Sequence, residues 1–488
     1  MRRFILLIVL AVVMCLSAIA HNFMFKHLEV RDGMPSNQIN VIYKDSRGFM
    51  WFGTASGLAR YDGYRFKVFY SSDNDPTSLP DSYIEKIVED GEGRLWIRTG
   101  ENGYIIYNWN TENFVRDVRS WMWNIGIDGT PRHVFVDSQK NMWFAVDGKG
   151  CYRYSPEEKK ADVLPFGEKG IPEGIIIDMI ECKDGVVLVY DNGHVFCIDR
   201  EEVKVKWELT EIMEEMGNRT DIFFLYVDKD EDLWIYGAPG VWAYNLPAKK
   251  WQSQWNFNDR GQAHVVAIAQ DGQGRIWFGK DQDGIDIWNK ATGKTVSLTY
   301  NVDDERGLPN NTICAIQGDK QHGLWISTNY GITNMDPETG TFINYYAGNG
   351  LQGNEFSKNA ACTDEDGYLI FGGINGITFF RPAEITTEVK KPEVRIADFY
   401  IHNKAVKKGT RSGNHEVIET AVQEASRFRL CHRDNSFSIE FSAMEFYNPE
   451  RITYLYSMNG ATWMALAPGV NRVSFSDLAP GTYHFKMK

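Results

Sequence analysis

An eightfold internal repeat, an aromatic content of 14% and 44 glycines predict an all-β fold for this 488-residue chain. The reading is a single β-propeller of eight four-stranded blades, alternatively seven, followed by an incomplete immunoglobulin-like β-sandwich. Aromatic side chains suit pleated, half-buried strands, and glycines suit the tight turns between them. Apolar residues at 43% supply a core, and the length exceeds one small domain. Net charge is −13, from 52 basic and 65 acidic residues, with no basic run beyond the first few positions. That excludes a protein that wraps a nucleic-acid backbone, which needs a cationic surface.

Residues 1–20 read as a signal peptide. Arg2 and Arg3 precede an apolar run from Phe4 to Ile19, and Ala18-Ile19-Ala20 fits the small-x-small cleavage pattern. The expectation is a periplasmic mature chain that starts at His21. The run is short for a membrane span.

The propeller is assigned to residues 21–385. A motif of the type Asp-x-x-Gly-x-Leu-Trp-Ile-Gly-Thr recurs about every 45 residues. Its Trp slot holds Trp51, Trp96, Trp143, Leu188, Trp234, Trp277, Trp325 and Ile370. A turn Asp precedes each: Asp45, Asp90, Asp137, Asp184, Asp228, Asp271, Asp319 and Asp364. The first unit reads as strands a to d at Ile39–Lys44, Phe49–Gly53, Leu58–Tyr61 and Arg65–Tyr70. Such a unit cannot cover both its faces alone, so the units stack radially and the Trp slots pack between blades. The eighth unit runs out at Pro382 without strand d. Phe23–Val30 is a spare strand near the start of the mature chain and is expected to complete that blade, leaving no open edge.

Residues 392–488 lose the repeat. Val394–Tyr400, Arg427–Cys431, Ser436–Tyr447, Thr453–Met458, Arg472–Ser476 and Thr482–Lys488 read as sandwich strands. The sequence stops inside the last of them, which reads as a truncated sandwich. The six cysteines after the signal peptide are scattered, with no zinc spacing, and read as small buried hydrophobes.

Several segments carry a resemblance. Asn310-Asn311-Thr312-Ile313, Leu324-Trp325-Ile326-Ser327-Thr328 and Gly350-Leu351-Gln352-Gly353-Asn354-Glu355-Phe356 resemble two-component-regulator propeller repeats. Tyr454-Leu455-Tyr456, Trp463 and Leu478-Ala479-Pro480-Gly481-Thr482-Tyr483 resemble the three-tyrosine domain that follows such propellers. The pairing is typical of the periplasmic sensor half of hybrid two-component systems in gut Bacteroidetes. The resemblance implies a sensor of glycan-derived oligosaccharides and a side-by-side dimer through the C-terminal domain. It differs from the family in having one propeller rather than two consecutive ones. No kinase, receiver or DNA-binding segment lies in these residues, so no enzyme activity, nucleic-acid binding or cofactor is expected of them.

Other propellers are glycosidases, lyases or protein-binding scaffolds, and fold alone does not choose among them. The Asp that recurs in every a–b turn reads as structural rather than catalytic. The a–b turns share one face and are nearly alike, whereas the d–a and b–c loops share the other face and vary, which suits recognition. That variable face carries Trp121, Trp123, Arg132 and His133 in and after the long loop between units two and three. It also carries Arg98, Tyr236, Lys280 and Asn329 near b–c turns, and His264 entering unit six. Aromatic rings stack on sugar rings, and cations hold acidic groups. The alternative for Trp121 and Trp123 is that they pack the loop onto the ring.

Overall fold

The computed structural model of the chain describes residues 25–488, apart from 101–102, 110, 168–169, 217–219, 238–239, 256–263, 305–306, 322, 336–341, 386–393 and 444–451. The signal peptide read at residues 1–20 lies outside the described residues. The chain divides into two compact units, Met1–Ile385 and Thr386–Lys488.

The first unit is a propeller of eight four-stranded antiparallel sheets. The innermost strands are Ile39–Lys44, Ile84–Glu89, Pro131–Val136, Ile176–Cys182, Phe223–Val227, Val265–Gln270, Ile313–Gly318 and Phe356–Thr363. Successive blades adjoin through these strands, or between the fifth and sixth through Asp232–Gly237 and Val265–Gln270, and the eighth adjoins the first. The spare strand does close the ring: Lys26–Leu28 pairs antiparallel with Gly376–Phe380, with His27 opposite Thr378. Phe25 anchors it edge-on to Tyr345 and Phe380, at ring distances of 5.0 and 4.8 Å.

One hydrogen-bond device explains the repeat. In blade 1 the buried Asp45 accepts the indole N–H of Trp51 on Oδ2 at 2.6 Å, while its Oδ1 accepts the turn N–H groups of Arg47 and Phe49. Asp90–Trp96, Asp137–Trp143, Asp228–Trp234, Asp271–Trp277 and Asp319–Trp325 repeat the clamp at 2.9–3.0 Å. Each tryptophan is thereby buried with its polar atom satisfied, as a dry site requires. Side chains from the next blade stitch the same turns: the carboxylate of Glu89 accepts from Ser46 N, that of Glu181 from Ser138 N, and the side-chain oxygen of Gln270 from Lys229 N. The a–b face is therefore committed to holding the ring together.

Blade 4 corrects the sequence alignment. Its inner hairpin is one residue shorter: Glu181, the counterpart of Glu89, pairs with Val186 where Glu89 pairs with Leu95, so Val187 rather than Leu188 stands in the Trp slot. Cys182 takes the place of the clamp aspartate. Asp184 instead accepts the indole N–H of Trp207, on the outer strand, at 3.1 Å. In blade 8, where Ile370 replaces tryptophan, Asp364 accepts from the Lys44 ammonium of blade 1 at 3.1 Å.

The second unit contains a four-stranded sheet (Lys404–Ala405, Arg395–Ile401, Phe437–Ser442, Arg472–Phe475) and a three-stranded sheet (Met464–Ala465, Leu455–Met458, Phe485–Met487). They share one core around Phe399, Ile439, Phe441 and Tyr454. Arg427–Cys431 is not a strand, a correction to the sequence reading, and Tyr447 lies outside the described residues. The Tyr454 hydroxyl is buried and accepts Ala443 N at 2.9 Å. Cys151, Cys182, Cys197 and Cys314 are buried free thiols, and Cys362 and Cys431 are half-buried ones.

Candidate ligand-binding site

The inner strands build the site. Most carry a β-bulge at the same height, which sets one extra residue at the ring mouth: Asn40, Glu85, Arg132, Ile177, Val266 and Cys314. Bulges of this kind re-aim side chains at a rim. The next residue inward forms a column around the axis: Val41, Lys86, His133, Asp178, Phe224, Ala267 and Ala315. It is apolar or small except in blades 2, 3 and 4.

There the three polar members meet. Lys86 Nζ lies 3.4 Å from His133 Nε2, and the same nitrogen lies 3.6 Å from Asp178 Oδ1. Asp178 Oδ2 accepts the backbone N–H of Leu225, in blade 5, at 3.1 Å. Burial drives each group toward neutrality. It lowers Lys86, raises the Asp178 carboxyl, and, with help from Lys86 and Arg98, holds the His133 imidazole well below its ordinary 6.5. A neutral His133 that accepts from the Lys86 ammonium fits this geometry. Tyr104 is pushed up to about 12 by burial, and Tyr236 is also raised by burial and by the Asp178 charge. Arg98 lies directly opposite Lys86 and next to Tyr104 in the sheet.

Arg98 also opens outward. It lines a cleft of about 510 Å³ between blades 2 and 3 on the d–a and b–c face, with Arg119, Arg132 and Lys149 as the other cations and Asp128 and Asp147 as the acids. The helix Val118–Asn124 in the d–a connection shapes it, with the Asp117 side chain capping Ser120 N. Trp121 points into the blade interface, edge-on to Trp96 at 4.9 Å and under the Arg94 guanidinium at 4.9 Å. Trp123 points out and is 66% exposed. Arg119 is one helical turn before it, so the two share a helix face. Gly129 carries the chain past Val146: its φ is +137°, and a Cβ there would lie 2.5 Å from Val146 Cγ1.

The nine residues singled out in the sequence thus separate. Arg98 and Arg132 line one cleft, and Trp123 lies on the helix beside it. His133 and Tyr236 belong to the axial cluster beneath. Trp121 packs within the ring. Lys280 is buried and paired with Asp283 and Asp286 on blade 6. His264 is exposed at the entry to that blade. Asn329 is exposed on blade 7 and accepts the Cys314 thiol at 3.2 Å. These last three stand on the far blades. Sequence reasoning missed Lys86, Asp178, Arg119, Lys149 and Tyr83, whose ring lies beside Gly100 at the cleft and is 42% exposed.

Residues 33–56 and 307–330 match the family described as two component regulator propeller, so the ring carries repeats of that family. A histidine kinase, P4, of Formosa agariphila is 22% identical over 468 residues, which are 93% of this chain and 30% of that protein. The chain therefore spans less than a third of that relative's length. A solved structure described as the extracellular domain of a hybrid two component system of B. thetaiotaomicron aligns at 17% identity, over 95% of this chain and 97% of the other, with a TM-score of 0.34. Virginiamycin B lyase of Staphylococcus aureus aligns at 11% identity, over 73% of this chain and 97% of the other, with a TM-score of 0.39. Among the described residues no helix is long and apolar enough to cross a membrane, and no group of three or more His, Cys, Asp or Glu is placed to hold a metal ion.

Proposed function

We propose that this chain is the extracytoplasmic ligand-sensing region of a two-component signalling protein, and that the cleft between blades 2 and 3 takes an oligosaccharide. The observation that carries this is the composition of the cleft: cations inside it and two exposed rings, Trp123 and Tyr83, at its border. Aromatic planes cover the apolar faces of sugars, and guanidinium groups take their oxygens. The propeller repeats and the likeness to a histidine kinase support the signalling assignment. The sensing role requires no chemistry of the chain itself.

Calorimetry against a panel of oligosaccharides tests this. Trp123→Ala should weaken binding about tenfold with little loss of stability. Trp121→Ala should instead cost about 2–4 kcal/mol of stability, because it empties a packed interface. Binding of a glycan that is indifferent to Trp123→Ala, Tyr83→Ala and Arg132→Ala alike would place the site elsewhere.

A second reading, a scaffold for a protein partner, draws on other exposed apolar residues in d–a and b–c connections: Tyr70, Ile222, Tyr330 and Ile374. A partner docked there would be lost on Tyr330→Ala or Ile374→Ser rather than on Trp123→Ala.

A further inference from the structure

We infer that the saccharide taken by this cleft is anionic, bearing carboxylate or sulfate groups that seat between Arg98 and Arg132. This rests on the oligosaccharide reading above and narrows its chemical class.

Charge is the first argument. The chain as a whole carries −13, yet Arg98, Arg119, Arg132 and Lys149 converge on one cleft. Their present partners are three carboxylates. Glu85 lies 3.0 Å from Arg98, Asp147 lies 3.4 Å from Arg132, and Asp128 is shared by Lys149 at 3.0 Å and Arg119 at 3.6 Å. Among the described residues that line the cleft four are cations and two, Asp128 and Asp147, are acids, with Glu85 and Asp81 beside it.

The second argument is how replaceable these pairs are. Both side chains of each are more than a third exposed. Exposed pairs are worth little, so an incoming anion displaces them at small cost. Asp147 in particular holds Arg132 at a long 3.4 Å and sits in the b–c turn of blade 3, where it competes directly with a ligand carboxylate. A guanidinium grips a carboxylate or sulfate through two parallel N–H donors, which a neutral hydroxyl cannot match. The third argument is access. Gly100 and Gly103 line the cleft, and a Cβ at Gly103 would meet nothing within 4 Å, which leaves open space beside that residue.

Paired probes test the inference on the full chain. Oligogalacturonate is compared with its methyl ester, and κ-carrageenan oligosaccharide with neutral agaro-oligosaccharide, which separates carboxylate from sulfate recognition. At least one anionic probe should bind about tenfold or more tighter than its neutral partner, and its affinity should fall between about 0.05 and about 0.5 M salt. Arg98→Ala and Arg132→Ala should each weaken it about tenfold, while Arg132→Lys keeps part of it. Asp147→Asn should tighten it, a gain that no folding defect produces. Equal affinity for the neutral and charged members of both pairs, or an unchanged affinity in Asp147→Asn, overturns the anionic class. If Trp123→Ala still weakens a neutral probe, the oligosaccharide reading survives that loss. If no probe of either class binds, both readings fall.

Discussion

His133 shows what a single residue does in this ring. Burial, and then the positive charges of Lys86 and Arg98, hold its imidazole well below 6.5. The unfolded chain takes up a proton near that pH and the folded chain does not, so stability falls as pH drops through about 6.5. Asp178 acts in the opposite sense. Burial raises its carboxyl above the ordinary 3.8, so the folded chain binds that proton more readily than the unfolded one and acidification through that range stabilises. His133→Gln separates the two contributions, because it removes only the histidine. The melting temperature should fall between about pH 7.5 and about pH 5.5, and His133→Gln should flatten the fall. The single-proton limit is about 1.4 kcal/mol per pH unit. Equal slopes in wild type and variant would remove His133 as the source. The same residue marks the limit of reading the sequence. His133 stood out because it follows a long loop, whereas Lys86 and Asp178 looked like ordinary polar residues of inner strands. The signal that reveals them is the column itself, since three successive blades place Lys, His and Asp where the others hold apolar or small side chains. That column appears only once the bulges are aligned, and the bulges are set by pairing register rather than by residue type.

At the scale of the blade, the a–b hairpin was legible because its physics is local. One carboxylate satisfies two turn N–H groups and an indole six residues on, so Asp, Gly and Trp must recur together. Blade 4 was misaligned for an equally local reason: a tighter hairpin moves the aspartate toward the strand, and Trp207 of the outer strand replaces the missing indole. The two versions of the clamp differ in energy. Trp51→Phe leaves a buried Asp45 oxygen without its donor, at about 1–3 kcal/mol. Trp207→Phe releases a half-buried pair that water can reach, at about 0.5–1.5 kcal/mol. Urea unfolding of the two variants compares them directly. A loss at position 207 equal to or larger than that at position 51 would contradict the argument from burial. The helix Val118–Asn124 was read as loop, because the pattern in between, Arg119-Ser120-Trp121-Met122-Trp123, is too short to show a helical period. Its two tryptophans consequently looked equivalent, although the helix sends one inward and the other out.

At the scale of the whole ring, everything depends on a strand of three residues. A closed propeller has no edge, because Lys26–Leu28 supplies the outer strand that the chain's eighth repeat lacks. The closure is tight at one point. Gly376 begins the partner strand with φ of +117°, and a Cβ there would lie 2.2 Å from the Leu28 carbonyl oxygen. Gly376→Ala must therefore push the closing strand away and strain the backbone together, at about 1–3 kcal/mol for the strain alone. Lys44 reinforces the same seam from the other face by reaching Asp364 and Asp366, but such partly exposed pairs hold weakly. Because blades 1 and 8 share a core through Ile39, Phe52, Ile370 and Ile377, opening the seam exposes apolar surface on both rather than fraying one strand. The expected outcome is that deletion of residues 21–30, and to a lesser degree Gly376→Ala, lowers the melting temperature of the ring in a single transition. Hydrogen exchange should then rise in the inner strands of blade 1 as well as blade 8. Exchange confined to Gly376–Phe380, with the melting temperature unchanged, would show that the seam is decoration and that the ring is held by its blade-to-blade packing alone.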